Sequence, residues 1–150
     1  MAAERWRVFL DTNVLIAGLA SRTGASAAIR DLGEAEQIVI VLSRQVLVEA
    51  DRVLGRKFPH LIDGYRAFIK NLNPLLVDDP PIVAIREAEH VIHADDAPIL
   101  AAAKQERVDY LVSLNTKHFH TTKARAFVPM PILTPGEFLV VFRDYWSHPV

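Results

Sequence analysis

The sequence has no cysteine, which excludes a disulfide scaffold and removes thiolates from every metal-binding or nucleophilic hypothesis. Any metal would have to be held by oxygen or imidazole. Long apolar runs are missing as well: Ile38 to Leu42 and Phe138 to Phe142 are the strongest, about a quarter of the ~20 residues that a membrane-spanning helix needs. No contact with a membrane is expected. The opening MAAERWRVFL meets an acidic residue at Glu4 and lacks an apolar h-region or a small-residue cleavage site, so the expected location is the cytoplasm. Charge of one sign is also lacking. With 17 basic and 18 acidic side chains the net charge is -1, and the chain has no overall cationic field of the kind a dedicated nucleic-acid binder carries. That lowers the prior for a nuclease without excluding one, because bound divalent cations can neutralise a carboxylate cluster. There is no glycine-rich phosphate loop, internal repeat or flexible linker, so nucleotide binding has no support and one domain over residues 1–150 is expected. A chain of 150 residues buries roughly 70% of its unfolded surface, enough for a core without staples.

What is present is an alternation of strand and helix patterns. Arg7 to Leu10 is a short β-prone run ending at Asp11. Gln37 to Leu42 is rich in β-branched residues and suits a strand buried on both faces, and Tyr110 to Leu114 is a third such run. Ser43 stands at a natural N-cap before a helical stripe of Val46, Leu47, Ala50, Val53 and Leu54, expected to end at Gly55. Pro59 can open the next helix, whose stripe stops before Asn73-Pro74. Asp96 precedes an alanine- and leucine-rich helix with Pro98 in its first turn. Between Val77 and His93 only Ile82 to Ile92 reads as helical. A brief strand at Ile132-Leu133 leads through Thr134-Pro135-Gly136-Glu137, a capping-box pattern, into a terminal helix running toward Trp146. Strands alternating with helices predict an α/β fold of three layers, α/β/α, around a central parallel sheet.

Such sheets place ligands beyond the carboxyl ends of their strands, so the polar residues there carry the chemistry. Asp11-Thr12-Asn13 ends the first strand, Ser43 the second and Ser113-Leu114-Asn115 the third, while Asp95-Asp96 opens a helix just before it. Glu49 lies six residues past Ser43, close to two helical turns on and able to face the same crevice. Three carboxylates in one crevice repel by about 4 kcal/mol per pair at 4 Å and an effective dielectric near 20. A hard divalent cation such as Mg²⁺ or Mn²⁺ would relieve that repulsion.

The segment Val8-Phe9-Leu10-Asp11-Thr12-Asn13-Val14-Leu15-Ile16 resembles the opening motif of the PIN-domain nucleases. Ser43 with Glu49 resembles the serine-opened helix that carries the family's second acid, and Asp96 to Ala103 resembles the helix headed by its third. Leu111 to Phe119 resembles the closing strand and loop. The four motifs occur in family order over roughly residues 7–140. The resemblance implies a flavodoxin-like parallel sheet and a Mg²⁺- or Mn²⁺-dependent endoribonuclease acting on single-stranded RNA. The branch that it resembles is the VapC-type toxins of toxin–antitoxin pairs, which implies a small antitoxin partner and a homodimer. Asp11, Glu49 and Asp96 would be catalytic metal ligands, with Asp96 favoured over Asp95. Thr12, Asn13, Ser43 and Ser113 would orient them, and Arg22, Arg44 and Lys117 would contact RNA phosphates. Asn115 stands where many members carry a fourth acid, a departure that predicts weaker occupancy of a second metal position.

Other classes fit parts of the pattern. A PIN-like module that binds RNA without cutting it would also accommodate Asn115 and the balanced charge. His90 and His93 with Asp95 and Asp96 have a spacing that could ligate zinc but match no established signature, and packed or surface histidines explain them better. A phosphoacceptor domain would need an acidic pair on the first strand, whereas here Asp11 stands alone and the pair comes late.

Overall fold

The computed structural model describes residues 4–147. Five strands form one all-parallel sheet in the order β3-β2-β1-β4-β5: β1 (Arg7–Leu10), β2 (Val39–Ser43), β3 (Leu75–Val77), β4 (Tyr110–Val112) and β5 (Ile132–Leu133). The helices among the described residues are α1 (Thr12–Ala20), α2 (Ala25–Glu34), α3 (Arg44–Lys57), α4 (Ile62–Leu72), α5 (Ile82–Ala88), α6 (Ala97–Glu106), α7 (Thr122–Phe127) and α8 (Pro135–Ser147), with a 3-10 turn at Pro59–Leu61. The expected α/β class with a parallel sheet is what the chain adopts, and none of these helices is long and apolar enough to cross a membrane.

The sheet is the core. Val8, Phe9 and Leu10 of β1, Ile40, Val41 and Leu42 of β2, and Leu111 and Val112 of β4 are all buried, as uninterrupted apolar runs in a parallel sheet must be when helices cover it. Close packing at one point depends on glycine: a Cβ on Gly33 of α2 would stand 2.7 Å from Cγ1 of Ile40. The turn after α1 is held by Arg30 of α2, whose guanidinium donates to the carbonyls of Gly18 and Ser21, each at 2.7 Å. Those carbonyls belong to the end of α1, where helix geometry leaves them without partners.

Several boundaries differ from the sequence reading. Gly55 does not end α3, which runs to Lys57 and closes on Arg56 and Lys57, cations that suit the negative end of a helix. Termination comes at Phe58, the residue before Pro59, where the proline ring disfavours helix. β3 was not anticipated, since Leu75 to Val77 is only three residues and exposes Leu75 and Leu76. It is a strand because β2 offers it an edge, pairing Val41 with Leu75 and Ser43 with Val77. The strand expected to reach Leu114 stops at Val112, because Ser113 turns its hydroxyl to the loop that follows. The capping box at α8 forms as expected: the Glu137 amide donates to Thr134 Oγ1 at 3.2 Å, and the Thr134 amide donates to Glu137 Oε1 at 2.9 Å.

Candidate active site

The chain builds outward from β1 through β2 to β3, then returns to lay β4 on the other side of β1. Connections diverge between β1 and β4, which makes their carboxyl ends the switch point of the sheet, the place where open α/β sheets hold ligands. Leu10 pairs with Val112 there, and the Asp11 amide donates to the Val112 carbonyl at 3.0 Å.

Asp11 sits at this point, 4% exposed. It is the N-cap of α1, and its Oδ1 accepts from the Thr12 amide at 2.7 Å. Its Oδ2 accepts from the Ser113 hydroxyl at 2.8 Å, so β1 and β4 are tied through the carboxylate. Burial pushes the Asp11 carboxyl up from 3.8 to about 6. The Ser113 and Thr12 hydrogen bonds oppose that rise, and the charges of Asp96 and Glu49 add to it. Two further carboxylates thus stand close enough to act on Asp11, from α3 and from the start of α6.

Glu49 is oriented by two donors: the Thr12 hydroxyl reaches Oε2 at 2.7 Å and the Gln45 amide group reaches Oε1 at 3.1 Å. Gln45 precedes Glu49 by one helical turn, the spacing at which side chains on a helix meet. Asp96 occupies the N-cap position of α6 without making a side-chain cap bond. Its Oδ2 lies 2.5 Å from Nδ1 of His118 instead. Asp95 is exposed and lies 3.6 Å from Nδ1 of His93, outside the group whose charges act on Asp11.

The other residues singled out in the sequence differ in where they lie. Thr12 and Ser113 contact the carboxylates as described. Asn115 organises the loop after β4: its backbone N–H donates to Ser113 Oγ at 3.0 Å, and its Oδ1 accepts from the His118 backbone N–H at 3.1 Å. Two expected orienting residues do not touch the acids. The Ser43 hydroxyl is spent capping α3, accepting from the Val46 amide at 3.3 Å, and Asn13 is exposed on the first turn of α1. Among the cations, Arg44 and Lys117 are exposed and follow the carboxyl ends of β2 and β4. Arg22 is not part of this rim. It follows the far end of the nine-residue α1, and a helix of that length rises about 13 Å.

Sequence reasoning missed His118 and Asp79, and it weighed His93 only as a zinc ligand, not as the partner of His118. His118 rests on Asp96 and is stacked on His93, while Asp79 accepts from the Gln45 backbone N–H at 2.9 Å. Only His118 left a local signal, as the third residue after an asparagine that could cap its amide. A cavity of about 870 Å³ lies between α5, α6 and the segment before β5, lined by Lys104, Arg107, Phe127 and Met130. It opens beside Val108 and Asp109 at the amino end of β4, away from the acids.

The donor chemistry fits a hard divalent cation, since the charges acting on Asp11 are those of two further carboxylates, Asp96 and Glu49, and no cationic side chain is among them. A ready-made cage is not formed: among the described residues no three acidic or histidine side chains are arranged to hold an ion directly. Glu49 and Asp96 are each held by neutral or histidine partners instead. Oxygen donors that do not form a closed cage suit a cation that keeps much of its water shell, as Mg²⁺ does, better than a fully dehydrated one.

A sequence family described as PIN domain matches residues 7–117. No curated protein sequence matches the chain. Among solved structures, it is similar to VapBC from Salmonella typhimurium bound to DNA, with 14% identity, a TM-score of 0.65 and coverage of 87% of this chain and 98% of that one. VapBC2 from Rickettsia felis, bound to a DNA fragment from its promoter, gives 18% identity, a TM-score of 0.62 and coverage of 85% and 96%. VapC20 from Mycobacterium tuberculosis, a toxin cleaving the sarcin-ricin loop, gives 16% identity, a TM-score of 0.52 and coverage of 73% and 91%. At these identities the likeness is one of fold.

Proposed function

This chain belongs to the PIN-domain family, and from that premise we propose that it is a Mg²⁺- or Mn²⁺-dependent endoribonuclease. In this reading it hydrolyses phosphodiester bonds in single-stranded RNA as the cytoplasmic toxin of a toxin–antitoxin pair. The observation that carries the proposal is Asp11, a buried carboxylate at the sheet's switch point, pushed up to about 6 by burial with Asp96 and Glu49 close enough to contribute. Further support comes from the similar fold of VapC20, itself a sarcin-ricin-loop-cleaving toxin.

Asp11, Glu49 and Asp96 would hold the ion. When bound, a divalent cation supplies a water of lowered pKa and charge stabilisation for the leaving oxygen. The chain's own residues set the geometry. Ser113 and the Thr12 amide fix both oxygens of Asp11, while Thr12 and Gln45 fix those of Glu49. His118 fixes Asp96, and Asn115 fixes the loop that carries His118. A hydrogen-bonded partner of this kind holds a ligating side chain in orientation. Arg44 and Lys117 on the rim would contact RNA phosphates. The neutral Asn115 would leave a second ion weakly held, so calorimetry with Mn²⁺ and no RNA should show one tight site; two would refute this.

An antitoxin would occupy the acidic rim, and a two-fold dimer is the expected assembly. A second reading, an RNA-binding module without catalysis, is favoured by the neutral Asn115 and by the lack of a preformed ion cage among the described residues. One experiment separates the two. With Mn²⁺, the purified protein should cut single-stranded RNA and Asp11→Asn should not, while both fold alike. Equal cutting by the variant would point to a contaminating nuclease, and RNA bound but uncut by the unaltered protein would favour the second reading.

A further inference from the structure

Two histidines from separate parts of the chain form an offset stack beside Asp96. His93 comes from the turn between α5 and α6, and His118 from the loop after β4. Their rings are parallel to within 4°, with centroids 5.1 Å apart. Both are held along their edges. Nδ1 of His118 is on Asp96, its backbone amide donates to Asn115 Oδ1, and Nδ1 of His93 accepts from the Asp95 amide at 3.1 Å. Hydrogen bonds at the edge leave the faces of a ring free. His118 overlaps one face of His93 in an offset stack, and the His93 side chain remains 53% exposed, which leaves ring surface for a further partner. The zinc reading of His90 and His93 finds no support, because His93 Nδ1 is occupied by a backbone donor and no metal-binding group is found among the described residues.

Resting on the ribonuclease reading, we propose that the His93–His118 stack is a platform for an unpaired nucleobase of the RNA substrate, next to the bond to be cut. A flat, oriented ring with exposed surface is what sequence-tolerant binding of single strands uses, since every base presents a π-face. The position suits the role. His118 touches Asp96, so a base laid on His93 lies two ring layers from a residue of the acidic site. Leu114, an exposed apolar side chain on the same loop as His118, adds a second surface on which a base can exclude water. Base pairing hides these faces in a duplex, so the platform selects single strands.

The test is anisotropy of a fluorescein-labelled single-stranded RNA in EDTA, which reads binding without metal or cleavage. Base–aromatic stacking predicts a roughly 5- to 150-fold loss of affinity for His93→Ala. His93→Phe, which keeps a flat ring and removes both nitrogens, should bind within about threefold of the unaltered protein. Affinity for a duplex of the same sequence should be the same in all three proteins. Where cleavage is observed with Mn²⁺, His93→Ala should raise KM and leave kcat nearly unchanged. Equal binding by His93→Ala, failure of His93→Phe to restore it, an equal loss for duplex, or no RNA binding at all would each overturn the platform. The anisotropy result stands apart from the nuclease reading, because an uncleaved RNA can still distinguish the three proteins. Circular dichroism melts that coincide confirm that the surface substitutions preserve the fold.

Discussion

Replacing Asp11 by asparagine should abolish cleavage and, at neutral pH without metal, make the protein more stable. The carboxyl is 4% exposed and pushed from 3.8 to about 6. At 1.36 kcal/mol per pH unit, that gap corresponds to roughly 3 kcal/mol. The sign follows from proton linkage. Between these two values the folded state holds a proton that the unfolded state has released, so stability falls as pH rises through this window and levels off above it. Well below 3.8 the carboxyl is neutral in both states and the penalty is absent. Asparagine cannot ionise, so the variant lacks this pH-dependent part. Its Oδ1 can still accept from the Thr12 amide, and the Ser113 hydroxyl can turn to meet its Nδ2. Urea unfolding in EDTA at several pH values is the assay. The stability of the variant minus that of the unaltered protein should rise by about 2 to 3 kcal/mol between pH 4 and pH 8. Added Mn²⁺ should then stabilise the unaltered protein alone, because an ion that binds only the folded form adds stability by mass action. A difference that stays flat with pH would refute the claim that Asp11 is held as a costly buried charge, and equal stabilisation of both proteins by Mn²⁺ would refute its part in holding the ion.

Three further outcomes follow from named contacts. Ser113→Ala removes a hydrogen bond that holds the Asp11 carboxyl down, so in EDTA the pH window over which stability falls should move further up than in the unaltered protein, read by urea unfolding, and an unmoved window would count against Asp11 as the titrating group. Gly33→Ala should lower stability although alanine favours helix by about 0.8–1.0 kcal/mol, because its Cβ would meet Ile40 at 2.7 Å and Leu72 at 3.1 Å and overpacking costs about 1–3 kcal/mol; a raised denaturation midpoint would contradict the close approach of α2. Gly55→Ala, with nothing within 4 Å of its Cβ, should instead raise stability by about 0.5–1 kcal/mol, and a loss there would mean that α3 is covered on that side.

The sequence by itself determined the parallel α/β architecture and the order of the site-bearing segments. Its strands are short runs of Val, Ile and Leu and its helices open on Ser43 and Thr134, both of them local patterns that bury apolar faces or satisfy free amides without reference to distant residues. The candidate acids were picked out by position and by resemblance to the PIN-domain motifs together: Asp11 and Asp96 stand where a strand or loop gives way to a helix and Glu49 two turns inside one, places that by themselves also suit caps and solvated charges. Tertiary structure alone decided how those groups meet. β3 exists only because β2 lends it an edge, and Arg22 is taken from the rim by the length of α1. Ser43 is consumed by its own helix, whereas Ser113, 102 residues from Asp11, supplies the hydrogen bond. The histidine stack joins residues 93 and 118 through nothing written near either. Hydrogen bonding and burial act between atoms in space, and a chain order fixes only which atoms are neighbours along it.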